Sequence, residues 1–191
     1  MGKEMKDSIV LMGCKHCGKT TQGRLLAKKY GVDFFDTDDE IARLRGMDAR
    51  VLYKTKGVTE FTLAEEEACQ SIIENNGDRK IVISTGGGIC DNPPALQQLR
   101  AAGTFVFLRL DIKLSIERIM AKIQEVQPGV FTGAPAYVLN EKPATLDDIR
   151  AILMKKYTER FKQYESLADL VVDIKNAPIE ENFKTLLEAL N

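Results

Sequence analysis

The chain has 191 residues, 44% hydrophobic and 29% charged, with a formal net charge of −1, which suits one soluble domain with a sizeable core and gives no basis for a nucleic-acid or anionic-membrane partner. Cysteines at 14, 17, 69 and 90 do not make a disulfide framework in a chain of this size and point to a reducing cytoplasm. Apolar runs such as TFVFL at 104–108 fall far short of the roughly 20 residues of a membrane span; charges crowd too close to Ile9 for a secretory segment, and Lys6 stands where a myristoylation motif opened by Gly2 needs Ser or Thr.

The first expected element is a strand over 8–12, SIVLM, and a helix is expected over 19–30, KTTQGRLLAKKY. Between them, MGCKHCGKTT at 12–21 holds two cysteines and the only histidine of the chain. It admits three readings: a metal site, a redox dithiol or a phosphate cradle. A structural zinc site needs about four Cys or His ligands, and no second pair exists to complete one. A redox pair is conceivable, because a helix N-terminus lowers a thiol pKa. The cradle fits better: Gly13-x-x-x-x-Gly18-Lys19-Thr20 is a complete phosphate-binding loop in strand–helix context. Gly13, Cys14, Lys15, His16, Cys17, Gly18, Lys19, Thr20 and Thr21 then form the nucleotide site, with Lys19 reaching the β- and γ-phosphates and the Thr20 hydroxyl ligating Mg²⁺. His16 reads as a loop filler rather than a base.

A second strand is expected over 32–35, followed by FFDTDDEI. Ligands of such sheets sit beyond the carboxyl ends of the strands, so Asp36 and Asp38 should border the phosphates. One can hold water around Mg²⁺ and the other can orient an acceptor hydroxyl; as N-caps they can also open a helix from residue 38. A helix over 63–75 and a strand over 80–84 come next, the latter running into STGGGIC. Gly86, Gly87 and Gly88 allow a ligand very close to the backbone. A strand over 104–109, helices over 112–123 and 146–167, and a last strand over 170–174 complete the alternation, which predicts a parallel sheet covered by helices on both faces. Only 124–145, with three prolines and two glycines, breaks the rhythm; it reads as a functional lid rather than a disordered insertion.

The runs GCKHCGKTT, FFDTDDEI, EFTLAEEEA, IVISTGGGI and RFKQYESLADLVV, in this order, resemble the shikimate kinase family. The resemblance spans nearly the whole chain apart from 124–145. It implies a single three-layer α/β P-loop kinase domain over 1–191 with a five-stranded parallel sheet, a substrate-binding region over 36–75 and a lid over 124–145. It further implies a monomeric cytoplasmic enzyme of aromatic amino acid biosynthesis that uses ATP and Mg²⁺ to convert shikimate to shikimate 3-phosphate. By the same resemblance Asp36 serves the Mg²⁺ shell, Asp38 holds and deprotonates the acceptor hydroxyl, Gly86 to Gly88 line the substrate, and Arg160 binds its carboxylate. A surface salt bridge to Glu159 or Glu165 is the plainer reading of Arg160. Two positions depart from the family. Phe61-Thr62 stands where the family has Phe-Arg, and a threonine cannot replace a planar charged fork. Gln127 stands where the family lid carries an arginine; Arg43, Arg45, Arg50, Lys54, Lys122 and Lys142 are candidates for the missing charge. A kinase of another polyol or sugar acid, and a non-catalytic nucleotide-binding relative, are the competing readings.

Overall fold

The computed structural model describes residues 7–190; the readings of Gly2 and Lys6 fall outside them. Five strands, β1 (Ser8–Met12), β2 (Asp33–Asp36), β3 (Ile81–Ser84), β4 (Gly103–Leu110) and β7 (Leu170–Ile174), form one sheet in the order β2-β3-β1-β4-β7. All neighbours are parallel. The strands expected from apolar runs are all present, with no end shifted by more than one residue. In β1 every residue is buried, as a strand covered on both faces requires. Its alternation divides the interior: Val10 and Met12 join Ile83, Phe105 and Phe107 on one face, while Ile9 and Leu11 join Val82, Val106 and Leu108 on the other.

Helix α1 (Lys19–Tyr30) packs Leu26 and Ala27 on the second face, together with Leu186 of α8 (Ile179–Ala189). The first face is covered by α4 (Pro93–Arg100) and α7 (Leu146–Leu167), through Leu96, Leu99, Leu153 and Tyr164. Neither α4 nor α8 was expected from the sequence. The helix expected from residue 38 is α2 (Thr37–Arg45), and that expected over 63–75 is the rear of α3 (Ala49–Asn76). The latter bends at Gly57, whose φ of 85° is non-helical and lies in the region glycine enters without a Cβ penalty. Helix α5 (Ile112–Met120) ends earlier than expected.

Residues 124–145 are not irregular throughout. They contain a hairpin of β5 (Gln124–Gln127) and β6 (Val130–Thr132) and a short helix α6 (Ala136–Asn140). Phe131, Ala134 and Val138 are buried in the core of the first face. Their apolar burial holds a proline- and glycine-rich segment against the sheet's helices. Among the described residues no helix is long and apolar enough to cross a membrane.

Candidate active site

Registers on the sheet bring three strand tips level. Leu11 of β1 and Asp36 of β2 both pair with Ser84 of β3, and the Thr85 N–H and hydroxyl both donate to the Leu11 carbonyl at 3.1 Å. A cleft of about 580 Å³ opens above these tips, within the range of small-molecule sites.

The β1–α1 loop forms its floor. Gly13 has φ 145°, and a Cβ there would lie 2.8 Å from the Leu108 carbonyl oxygen and 2.9 Å from Cys17 Sγ, so only glycine fits. Lys19 Nζ donates to the carbonyls of Gly13 (2.8 Å) and Cys14 (3.1 Å), which holds the ammonium at the mouth of the loop. Helix α1 has no side-chain N-cap and no acidic residue in its first turn. Its terminal N–H groups and positive dipole end are therefore left for an anion. Lys15, His16, Gly18, Lys19, Thr20 and Thr21 line the cleft, whereas Gly13, Cys14 and Cys17 lie beneath it. Both cysteines are buried and unbridged. Burial, then Cys17, pushes the Cys14 thiol up to about 12, far from the thiolate a redox pair needs. Burial and four surrounding cations lower His16 to about 4, so it is neutral near pH 7 and serves the loop's left-handed turn at φ 66°. No cluster of three His, Cys, Asp or Glu able to hold a metal by itself occurs among the described residues.

Thr20 Oγ1 donates to Asp36 Oδ2 at 2.8 Å and lies 3.4 Å from Ser84 Oγ. A hydroxyl and a carboxylate set beside a phosphate loop are oxygen donors suited to Mg²⁺, which retains several waters of its own. Asp36 Oδ1 also accepts from the Asp38 N–H as the N-cap of α2, the capping role expected of it, while Oδ2 stays with Thr20. Asp38 is open to the cleft yet crowded by protein atoms, and this desolvation, with the Asp36 carboxylate next, raises its pKa above the ordinary value; Lys19 and Lys15 oppose the shift.

Each of the three consecutive glycines faces a different side chain or loop. A Cβ on Gly86 would stand 2.9 Å from Glu65 Oε1 and 3.2 Å from Asp38 Oδ1. On Gly87 it would meet the Lys15 backbone nitrogen at 3.0 Å, and on Gly88 the Arg160 guanidinium at 2.8 Å. The glycines thus bring the protein's own polar groups together as well as leaving room for a ligand. Arg160 is buried and lines the cleft. Its partner is neither Glu159 nor Glu165: Nε and Nη2 donate to Asp91 Oδ2 at 3.2 and 2.8 Å, Nη1 donates to the Gly87 carbonyl at 3.1 Å, and the guanidinium lies 4.9 Å from the Tyr137 ring centre. Glu165 pairs with Arg109 instead.

Of the six cations considered for the missing charge, only Arg50 lines the cleft. Arg43 is paired with Glu40, and Arg45 with Glu60 and Glu67. Gln127 is exposed and Thr62 half-buried; both lie outside the lining, and the Thr62 hydroxyl donates back to the Val58 carbonyl at 2.9 Å.

Sequence reasoning gave no role to Glu65, although its run EFTLAEEEA was noted. It is 2% exposed, accepts from Asn92 Nδ2 at 2.9 Å through Oε2, and has no hydrogen-bond partner for Oε1 among the described residues. Burial is the largest cause raising its pKa from 4.5 to about 7, with Asp38 adding to it and the Asn92 bond opposing it. The sign follows from the raised folded-state value. Its contribution to stability is complete below about pH 4.5 and is lost as pH rises through about 7, on the order of 3 kcal/mol for a fully buried group. Glu65→Gln should therefore flatten the fall in thermal midpoint between pH 5 and pH 8. Identical pH dependence in variant and parent would remove Glu65 as the titrating group.

The comparisons with known proteins agree with this geometry. Residues 15–191 match the family model described as shikimate kinase. The chain is 33% identical over 168 residues to a shikimate kinase of Thiobacillus denitrificans, covering 88% of this chain and 81% of that one. It is 30% identical to the crystal structure of shikimate kinase from Aquifex aeolicus, with a TM-score of 0.70 and coverage of 96% and 95%. The shikimate kinase from Acinetobacter baumannii, solved in complex with shikimate, shares the fold at a TM-score of 0.74 and 22% identity, over 97% of this chain and 93% of that one.

Proposed function

The chain belongs to the shikimate kinase family, small-molecule kinases with ATP as phosphate donor, and on that premise we propose that it phosphorylates shikimate at a ring hydroxyl, the whole chain acting as one domain. The observation that carries this reading is the convergence, in one cleft, of a phosphate loop, the Thr20–Asp36 pair and a desolvated Asp38 beside three glycines.

In this reading the loop amides and Lys19 bind and orient the ATP phosphates. Thr20 and Asp36 would hold Mg²⁺, which when bound neutralises charge on those phosphates. Asp38 accepts the proton of the acceptor hydroxyl as that oxygen bonds to the γ-phosphorus and the bridging β–γ bond breaks, leaving ADP. Residues 36–75 form the acceptor wall through Asp38, Arg50, Tyr53, Phe61 and Glu65. Within 124–145, which we read as the cover of the cleft, Pro135, Ala136 and Tyr137 reach the lining. Arg160, held by Asp91 and Gly87, gives this wall a fixed positive charge for an acidic acceptor. Lys19, Thr20, Asp36, Asp38 and Arg160 in one cleft speak against a non-catalytic relative.

The test is ADP release in the presence of shikimate, quinate, gluconate and nucleoside monophosphates. Shikimate should give the highest kcat/KM; faster turnover of any other acceptor would unseat it.

A further inference from the structure

Among the described residues, Lys15, Lys19, Arg50 and Arg160 are the lysines and arginines lining the cleft. Two of them are already engaged. Lys19 is fixed over the phosphate loop by the Gly13 and Cys14 carbonyls. Arg160 directs Nε and Nη2 at Asp91 and Nη1 at the Gly87 carbonyl, so each of its nitrogens already donates to an oxygen.

Arg50 differs. It lies in the first turn of α3, is exposed to the cleft, and makes one side-chain hydrogen bond, Nη2 to the Ala134 carbonyl at 3.0 Å. No carboxylate of the described residues lies within 4 Å of it or of the Lys15 ammonium. The backbone nitrogen of Lys15 packs against Gly87. Two cations near enough to repel each other, with the Arg50 charge second only to burial in lowering Lys15 and the Asp38 and Asp48 carboxylates opposing that shift from beyond ion-pair distance, form a positive wall that no acid closes by direct pairing. The bond to Ala134 holds the guanidinium against the covering segment and uses one of the two Nη2 hydrogens, which leaves one edge of the fork, Nη2 with Nε or with Nη1, for a planar bidentate partner.

We propose that Arg50, with Lys15 beside it, receives the carboxylate of the acceptor. The inference rests on the reading of the protein as a kinase of a hydroxylated acid. It also accounts for position 62: Thr62 lies beyond the Gly57 bend and is bonded to its own helix, while the front half of α3 presents Arg50 to the cleft.

The experiment compares shikimate with its methyl ester, in which the carboxylate is masked, on the full chain and on Arg50→Ala and Arg50→Lys. Arg50→Ala should raise the KM for shikimate about ten- to a hundred-fold, the effect of losing a hydrogen bond to a charged group, and leave the KM for ATP nearly unchanged. The parent should prefer the acid over the ester, and the alanine variant should lose that preference; Arg50→Lys, which keeps charge without the fork, should fall between them. An unaltered KM for shikimate, or an acid-over-ester preference surviving in Arg50→Ala, overturns the inference while leaving the kinase reading intact. So does a loss confined to kcat, which would place Arg50 at the transferring phosphoryl group. If the parent turns over gluconate or quinate instead of shikimate, the same comparison is made with that acid and its ester. A parent active only on acceptors lacking a carboxylate overturns both readings.

Discussion

Lys19→Ala is expected to lower kcat/KM by about 10²- to 10³-fold, the loss typical of removing one preorganised donor at developing charge. The ammonium is held by two carbonyls at the mouth of the loop, so it meets the phosphates in a fixed position rather than by searching for them. The effect should fall on turnover far more than on folding. Lys19 opens α1, and alanine is the best helix former. Steady-state ADP release and a thermal melt on the same preparation separate the two. Turnover equal to the parent's would mean that the loop is not where ATP reacts, and a collapsed melt would mean that the lysine holds the loop together.

Asp38→Asn should cost about 10²- to 10⁴-fold in kcat, the usual contribution of a positioned acid or base. The substitution keeps size and hydrogen-bonding reach and removes the charge and the basicity. Because desolvation and Asp36 raise the Asp38 pKa, its ionised form is lost at a higher pH than for an ordinary aspartate. The parent's rate should accordingly fall on the acid side above the usual carboxylate range. That limb should be absent from the residual activity of the asparagine variant. The same raised pKa means that ionised Asp38 burdens the fold near neutrality, so the variant should be at least as stable as the parent at pH 7. An activity loss below about tenfold is too small for a general base and would move the role elsewhere; a destabilised variant would show that the carboxylate serves the architecture.

Much of this site was legible because its signals are local in the chain. The phosphate loop is spelled out within eight residues, and the aspartates and glycines directly follow β2 and β3, where a parallel sheet places its ligands. What was missed depends on residues that meet only in three dimensions. Arg160 finds its acid in Asp91, 69 positions away, and no spacing rule favours that carboxylate over Glu159 or Glu165. Glu65 reads as one of three consecutive glutamates; only folding buries it beside Gly86 and separates it from its neighbours. Prolines and glycines made 124–145 look irregular, and the weight of Phe131 and Val138 in the core appears only once the helices they pack on are in place. The helix α8 went unnoticed although Leu186 is fully buried and Asn182 is tied to the end of β7 through the Lys175 N–H and carbonyl.

The strand order β2-β3-β1-β4-β7 also divides the molecule in its freedom to drift. No residue of β4 or β7 lines the cleft. At that end of the sheet lie the partly exposed pairs Arg100–Asp169 and Arg109–Asp173, each worth about 0–1 kcal/mol at the surface. Substitutions at these exposed pairs should accumulate with little consequence, whereas a single methyl on Gly86, Gly87 or Gly88 would collide with Glu65, the Lys15 backbone or Arg160. The nucleotide side is encoded mainly by β1 and α1, and the acceptor wall largely by α3. A lineage can therefore reshape much of the acceptor wall by editing α3 while leaving the phosphate loop of β1 and α1 untouched.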